Sequence, residues 1–236
     1  MAQIRFQNLI ISEDENHIFL NKPAGISTLE DRFSPINILQ MAKAVYPGCQ
    51  ICHRLDKETS GVLLVAKNSD TYKFVSKLFE VRKVKKIYHA VVDGLHDFKN
   101  FRNDKSLQQT GRGKSRTSNI GKESTTIFTT LDTYRYHSLV ECVPMTGRTH
   151  QIRAHLQSMD ASILGDREYG GKDVFLSQLK KRFNLKKFTE ELPLIKRMAL
   201  HAFSIEFKGI NGVNHKVTAQ YPKDFAVLLK SLAKYR

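Results

Sequence analysis

One carboxylate in this chain stands where an enzyme could use it. A charged stretch that ends in Asp56 is followed by a small-residue turn at Thr59, Ser60 and Gly61, and then by the apolar run 62–66. That run is short enough to be a buried strand, so the pattern predicts Asp56 at the mouth of a sheet. An ionised carboxylate there could serve as a nucleophile or help to remove a proton. An Asp before a turn is, however, more often only a turn or cap residue.

Further polar side chains follow in four later segments. Tyr88 stands in a strand-like stretch, and a turn that runs into a helix carries Arg148 and Arg153. The segments 164–170 and 197–202 read as a loop and a strand entry. Tyr88 could simply be a half-buried strand aromatic. The two arginines could be a solvated helix start, although Arg near a helix N-terminus opposes the helix dipole and indicates another purpose.

The spacing of two cysteines and a histidine resembles that of a cofactor site. Cys49, Cys52 and His53 match the C-x-x-C-H pattern of covalent haem attachment and half of a zinc site. The N-terminus lacks the apolar core of an export signal, and the only other cysteine is the distant Cys142. No thioredoxin-like context supports a redox pair. The sequence therefore predicts three reduced thiols, no metal and no cofactor.

The net positive charge of the chain indicates what kind of molecule it binds. The chain of 236 residues has 38 Lys and Arg against 23 Asp and Glu, a formal net charge of +15. Such an imbalance favours a polyanion, most commonly nucleic acid. Basic residues recur in 97–123 and 172–197, which could line a groove for a phosphate backbone. No apolar run is long enough to span a membrane, so a cytoplasmic protein is expected.

Periodicity predicts the elements that must position these residues. Helices are expected behind Ser34 and Pro35, from a cap at Ser69, and after Pro222. The stretch 18–25 predicts a short strand broken by Pro23 and Gly25. Further strands are expected near 86–93, 125–135, 137–143, 199–208 and 215–220. The low-hydrophobicity stretch 97–123 is expected to be an excursion between strands. Together these elements predict one α+β domain over 1–236, built around a mixed, largely antiparallel sheet.

The order of the motifs resembles that of a known enzyme family. The segments H-R-L-D-x-x-T-S-G, K-x-Y-x-A, G-R-T-H-Q-I-R-x-H, G-D-x-x-Y-G and R-x-x-L-H-A resemble the landmarks of the RluA-type RNA pseudouridine synthases. The resemblance runs from about Ile18 to Tyr221. It implies a pseudouridine synthase fold and an isomerase that acts on uridine in structured RNA, either ribosomal RNA or a tRNA stem-loop. It also implies that no metal or cofactor takes part.

The resemblance assigns roles to residues. It makes Asp56 the catalytic aspartate, and it places Tyr88 against the extruded uracil with a share in the late proton transfer. Arg153 is expected to be the cation that keeps Asp56 ionised, because burial raises a carboxyl pKa and a guanidinium lowers it. The further candidates, which would bind substrate, are Arg54, His53, Arg148 and Leu200.

Two departures from the family and two other functions complete these expectations. Many relatives carry an N-terminal S4 RNA-binding domain, whereas here the catalytic part begins near Met1. We therefore expect the chain to find RNA with its own basic surface. Separately, a monomer is expected. The connection 172–196 has no matching motif and is expected to bear on substrate choice. A non-catalytic RNA binder, which would not need a lone carboxylate, and a base glycosylase, which would release free uracil, stay open as alternatives.

Overall fold

The computed structural model describes residues 4–30, 36–111, 113–185 and 189–236. The strands are β1 (Ile10–Glu13), β2 (His17–Lys22), β3 (Gln50–Ile51), β4 (Ser60–Ala66), β5 (Lys85–Asp93), β6 (Phe101–Asn103), β7 (Leu107–Gln109), β8 (Ser115–Thr117), β9 (Thr126–Thr133), β10 (His137–Pro144), β11 (Leu200–Lys208) and β12 (Asn214–Thr218). The α-helices are α1 (Ile38–Lys43), α2 (Ser69–Glu80), α3 (Gln151–Gln157), α4 (Leu176–Leu179) and α5 (Lys223–Lys234). The chain forms two compact units. The first unit comprises residues up to 87 together with 201–220, and the second comprises 88–200 with 221–236.

The sheet of the first unit is built around β4. Its strands follow the order β1-β2-β4-β11-β12, and β3 also pairs with β4. All seven residues of β4 are buried, as the apolar run predicted. The pairing of β4 with β2 is antiparallel, whereas its short pairing with β11 is parallel. Strand β4 therefore lies at the centre of this sheet, and the loop that contains Asp56 leads into it.

Short polar side chains cap the N-termini of helices α1 and α2 in the first unit. Helix α2 is capped by Asn68, whose side chain accepts a hydrogen bond from the Thr71 N–H, and not by Ser69 as predicted. Asn68 has the extended backbone that an N-cap needs, which places Ser69 inside the first turn. Helix α1 is capped in the same way by Asn37. The start predicted at 34–35 lies outside the described residues.

The second unit is a layer of antiparallel strands covered by helices. Its strands follow the order β5-β10-β9-β6, and β7 and β8 form a separate hairpin. Helix α5 follows Pro222 and buries Phe225, Leu228 and Leu232, as its apolar spacing predicted. These side chains join a core with Val140 and Leu156. The α+β class and the largely antiparallel pairing predicted from the sequence are thus confirmed.

Both basic segments contain more structure than a connection requires. The stretch 97–123, predicted to be an excursion between strands, contains β6, β7 and β8. Within 172–197, helix α4 and the side chains of Val174, Leu179 and Ile195 belong to the core of the second unit. A few well-placed apolar residues therefore anchor segments whose average hydrophobicity is low. None of the helices in the described part of the chain is both long and apolar enough to cross a membrane.

Candidate active site

Asp56 lies in the loop that leads from β3 into β4. The Thr59 N–H donates to the Asp56 carbonyl at 3.0 Å, which closes a turn just before β4 begins at Ser60. Asp56 itself is half-buried. The loop therefore presents the carboxylate at the end of the most buried strand of the first unit, where the sequence predicted it.

The backbone on both sides of Asp56 is fixed by the segment 22–28. Before it, the Thr28 hydroxyl donates to the Leu55 carbonyl at 2.8 Å and accepts from the Leu55 N–H at 3.1 Å. After it, the Lys57 carbonyl accepts from the Gly25 N–H at 2.9 Å and from Lys22 Nζ at 3.1 Å. The hydrogen bonds of its two neighbours thus fix the backbone of Asp56.

Lys22 is the unexpected part of this support. Its side chain is fully buried, and its ammonium group also donates to the carbonyls of Pro23 and Ile26, each at 2.9 Å. A buried ammonium is costly unless its protons are satisfied, and these carbonyls satisfy them. Sequence reasoning treated Pro23 and Gly25 as a strand break and missed Lys22. The available signal was a lysine at the end of a strand whose centre, 18–20, is apolar.

Two of the sequence motifs meet beneath the loop. Ser60 and Gly61 of β4 pair in parallel with His201 and Ala202 of β11. The backbone of Gly61 has φ +118°, and a Cβ on it would lie 2.1 Å from the Ala202 carbonyl oxygen, so only glycine fits. His201 Nε2 donates to the Ala219 carbonyl at 3.2 Å, which leaves Nδ1 to accept from the Ser60 hydroxyl at 2.9 Å. The T-S-G and L-H-A motifs therefore join two strands.

His53 and Arg54 differ in their surroundings. His53 Nε2 accepts a hydrogen bond from the Leu64 N–H at 3.1 Å, and its ring packs on Phe79 at 5.0 Å between centroids. Burial, assisted by the nearby Lys86, lowers the pKa of His53 to about 3, which keeps the imidazole neutral and able to accept. Arg54 is exposed. His53 thus ties the loop to β4, and its predicted contact with substrate remains a prediction, as does that of Arg54.

In the second unit, Arg153 lies at the centre of a buried ion-pair cluster. Its Nε and Nη2 atoms donate to the two carboxylate oxygens of Asp166 at 2.6 and 2.7 Å, and Nη2 also donates to Glu168 at 2.7 Å. The guanidinium lies 4.6 Å above the centre of the Tyr169 ring. Although partial burial alone would raise it, the hydrogen bond and charge of Arg153 lower the pKa of Glu168. Arg153 is therefore not a solvated surface residue, and its pairing with Asp56 remains a prediction.

Tyr169 connects this cluster to the β7–β8 hairpin. Its hydroxyl accepts from the Ser115 N–H at 2.9 Å and donates to the Ser115 carbonyl at 3.0 Å. The hydroxyl has only one proton, so His150 Nδ1, 3.1 Å away, must donate to it. His150 has a left-handed backbone, φ 51°, directly before α3. The G-D-x-x-Y-G loop thus fixes both the hairpin and the helix that carries Arg153.

The remaining site candidates are spread over the second unit. Gln151 folds the turn before α3 by accepting from the Arg148 N–H at 3.0 Å and from the Thr146 hydroxyl at 2.7 Å. The Arg148 side chain is exposed and donates to the Glu123 carbonyl at 3.2 Å. Tyr88 lies on β5 opposite Cys142 of β10 and packs partly buried against the core. Leu200 is buried in that core at the start of β11.

Arg197, the first residue of the R-x-x-L-H-A motif, forms an ion pair within the second unit. Its guanidinium donates to the two carboxylate oxygens of Asp224 at 2.7 and 3.0 Å, which ties the residues before β11 to the first turn of α5. Sequence reasoning missed Asp224 and also Asp166, the acidic partners of Arg197 and Arg153. Neither has a distinctive spacing from its arginine. Asp166 did stand in a recognised motif, and that was the only signal available.

None of the three cysteines takes part in a disulfide bond. Cys49, Cys52 and Cys142 are free, and burial raises the pKa of Cys52 to about 12. A thiol with so high a pKa is a poor nucleophile and a poor metal ligand at neutral pH. This agrees with the prediction of three reduced thiols.

Comparison with known proteins places these features in a family. A family model described as RNA pseudouridylate synthase matches residues 16–158. Ribosomal large subunit pseudouridine synthase C of Buchnera aphidicola is 34% identical over 241 residues, covering 97% of this chain and 72% of that protein. Synthase D of Borreliella burgdorferi is 32% identical over 248 residues, covering 95% and 68%. The solved structure of human RNA pseudouridylate synthase domain containing 4 aligns with a TM-score of 0.70 at 26% identity, covering 97% and 94%.

Proposed function

The chain belongs to the RNA pseudouridylate synthase family and is an isomerase that acts on RNA, and from this premise we propose that it converts specific uridines of ribosomal RNA to pseudouridine with Asp56 as its catalytic residue. The observation that carries the assignment is the loop that clamps the backbone on both sides of Asp56. The choice of ribosomal RNA rests on relatives named as ribosomal large subunit synthases. A tRNA stem-loop is the second candidate substrate.

The chemistry suits a single carboxylate. Isomerisation breaks the N1–C1′ bond, turns the uracil and joins C5 to C1′, so atoms are conserved and no water is consumed. A hydrolytic glycosidase generally needs two carboxylates, one to protonate the leaving group and one to activate water or attack. Asp56 would either attack C1′ or assist removal of a proton. Because the reaction transfers no electrons and needs no Lewis acid, we propose that it proceeds without metal or cofactor.

The proposed partner of this carboxylate is Arg153. Asp56 has to be ionised while the flipped base excludes water, and a guanidinium favours the ionised form because it is always protonated. The bidentate grip of Asp166 supports the assignment, since it fixes Arg153 in one orientation. A fixed charge costs no reorganisation when the base arrives.

The remaining residues are proposed to handle the extruded base. The target uridine has to leave its stack to reach Asp56, at a cost of a few kcal/mol that is smallest in loops. Arg54 is exposed and is proposed to fill the vacated place, and Tyr88 to stack on the uracil and assist the transfer of the C5 proton. His53, Arg148 and Leu200 would complete the substrate contacts. We further propose a monomer that acts in the cytoplasm and binds RNA through its excess of basic residues, 38 Lys and Arg against 23 Asp and Glu.

Asp56→Asn tests the assignment, with Asp70→Asn as a matched control. Asp70 is an exposed aspartate of α2, so the control removes the same charge away from the loop. We expect Asp56→Asn to abolish pseudouridine formation in ribosomal RNA while folding and RNA affinity stay nearly unchanged, and Asp70→Asn to remain active. Substantial turnover by Asp56→Asn, with deamidation excluded by mass spectrometry, would falsify the assignment.

The same assay separates the alternatives. Pseudouridines are mapped in total RNA from cells with and without the gene, which shows whether ribosomal RNA or tRNA loses a site. A base glycosylase would release free uracil from wild-type reactions. A non-catalytic binder would retain RNA without forming any pseudouridine, whether or not Asp56 is intact.

A further inference from the structure

Three side chains that commonly bind metal ions meet at one edge of the first unit. Asp14 lies in the turn between β1 and β2, His17 is the first residue of β2, and His215 lies on β12. Asp14 and His17 are close in the sequence, but His215 is far from both, which is why motif spacing alone predicted no metal site. They are also separate from the Asp56 loop and from every contact described for it.

The carboxylate of Asp14 is oriented between the two histidines. Its Oδ1 accepts from the backbone N–H groups of Asn16 and His17, each at 2.7 Å, so the turn holds that oxygen in place. The other oxygen, Oδ2, lies 3.2 Å from His17 Nδ1 and 3.7 Å from His215 Nδ1. Oδ1 is thus held by the turn and also lies 3.1 Å from His17 Nδ1, whereas Oδ2 faces both imidazoles.

These separations are close to those of atoms that share an ion. Two ligands bound tetrahedrally at about 2.0–2.1 Å from one zinc ion lie about 3.3 Å from each other. The two distances from Oδ2 differ from that value by only about 0.1 and 0.4 Å. With one ligand atom taken from each of the three residues, all three atoms lie within 4.8 Å of one another. Small side-chain rotations would therefore complete a three-ligand shell without movement of the backbone.

In each ring Nδ1 faces the Asp14 carboxylate, whereas Nε2 does not. The Nε2 atoms of His17 and His215 are buried and have no hydrogen-bond partner among the described residues. The rings lie 4.7 Å apart between centroids and pack on Phe19 and Phe207, so the apolar side of the cluster is closed. The Asp14 side chain is 38% exposed, which leaves an entry path and room for a water ligand on the opposite side.

We propose that Asp14, His17 and His215 form a site for a divalent transition-metal ion of the zinc type. Two imidazoles and one carboxylate suit Zn²⁺, Co²⁺ or Ni²⁺ better than Mg²⁺ or Ca²⁺, which prefer oxygen ligands. The ion would join the β1–β2 turn to β12 and stabilise the first unit, because ligands that bind only the folded state raise its stability. The site is structural and does not depend on the proposed reaction.

The test titrates the metal-depleted full chain, without a polyhistidine tag, with Zn²⁺ in a calorimeter and with Co²⁺ by visible absorption. His215→Phe keeps the ring packing but removes the ligand nitrogen. Asp14→Asn keeps an oxygen for the turn but removes the charge. His96→Phe is the matched control, because His96 also stacks on a phenylalanine, Phe98, outside the cluster.

We expect one Zn²⁺ per chain and a higher unfolding temperature with Zn²⁺ but not with Mg²⁺. Each site variant should bind Zn²⁺ more than about tenfold more weakly, the smallest loss typical of a disturbed metal site. His96→Phe should bind like the wild type. If His215→Phe does not fold, Asp14→Asn decides. Absence of Zn²⁺ binding by the wild type, or unchanged binding by the site variants, would overturn the proposal. Turnover of RNA should not follow metal content, so the outcome is independent of the proposed function.

Discussion

Replacement of Asp166 by Asn tests whether the buried ion pair with Arg153 organises the second unit. The side chains of Arg153 and Asp166 are only 7% and 2% exposed, and two hydrogen bonds of 2.6 and 2.7 Å join them. Unit charges about 4 Å apart attract each other by about 4 kcal/mol at the effective dielectric constant of a protein. Asn removes the charge. Its side-chain NH₂ group would face an N–H group of Arg153, so one of the two hydrogen bonds is replaced by a repulsive contact between two donors. Because one acceptor survives, we expect the free energy of unfolding to fall by about 3 kcal/mol.

Asp173→Asn provides the matched control. Asp173 accepts from Arg167 at 2.8 Å, but the Arg167 side chain is 76% exposed, so solvent screens the pair. We expect a loss of no more than about 1 kcal/mol there. Urea unfolding of both variants and the wild type measures the two losses. Equal losses would refute the argument from burial.

Activity separates stability from function in the same variants. Under conditions in which Asp166→Asn remains folded, its turnover at saturating RNA should fall, because Arg153 loses the contact that fixes its orientation. Asp173→Asn should retain wild-type turnover. If Asp166→Asn loses stability but not turnover, Arg153 serves only the fold, and the proposed support of Asp56 is wrong.

Four other perturbations follow from the same contacts. Arg153→Ala should lower turnover by orders of magnitude and Arg153→Lys should restore part of it, whereas wild-type rates at pH 7 in the Ala variant would contradict its role. Thr28→Val leaves two buried backbone groups of Leu55 without a partner, so the free energy of unfolding should fall by about 2–4 kcal/mol, measured by urea unfolding. Neutralising the basic residues 180–182 should make the salt dependence of RNA binding shallower without changing the chemical step, and an unchanged slope would place that segment away from the RNA. Turnover should survive EDTA, thiol reductant and replacement of all three cysteines, and loss of activity on removal of a bound ion would disprove the metal-free reaction.

Some elements could be predicted because their sequence pattern is local. The run 62–66 is apolar at every position, and it forms the fully buried β4. The apolar residues of α5 recur at helical spacing behind Pro222 and form one buried face. In both cases, the residues that determine the structure lie within a few positions of one another. The local pattern was therefore sufficient to predict the element, and long-range contacts did not change it.

Other features depend on contacts that the sequence does not display. Ser60 and His201 are 141 positions apart, and only the parallel pairing of β4 with β11 brings them together. Helix α2 begins after Asn68 and not after Ser69, although either residue type can cap, because the local backbone decides between them. The hairpin β7–β8 has little hydrophobicity of its own and is held through Ser115 by Tyr169.

The family motifs divide into residues that hold the site and residues that could act in it. Ser60, Gly61 and His201 join strands, Gln151 folds a turn, and Tyr169 fixes a hairpin. Their polar groups are satisfied inside the fold, so most letters of the signature specify a loop geometry and do not report chemistry. A relative that lost catalysis could therefore keep nearly the whole signature, because its stability would still require those contacts. Under the proposed mechanism, an enzyme would differ from an RNA binder with this fold by a carboxylate in this loop, where this chain has the half-buried Asp56.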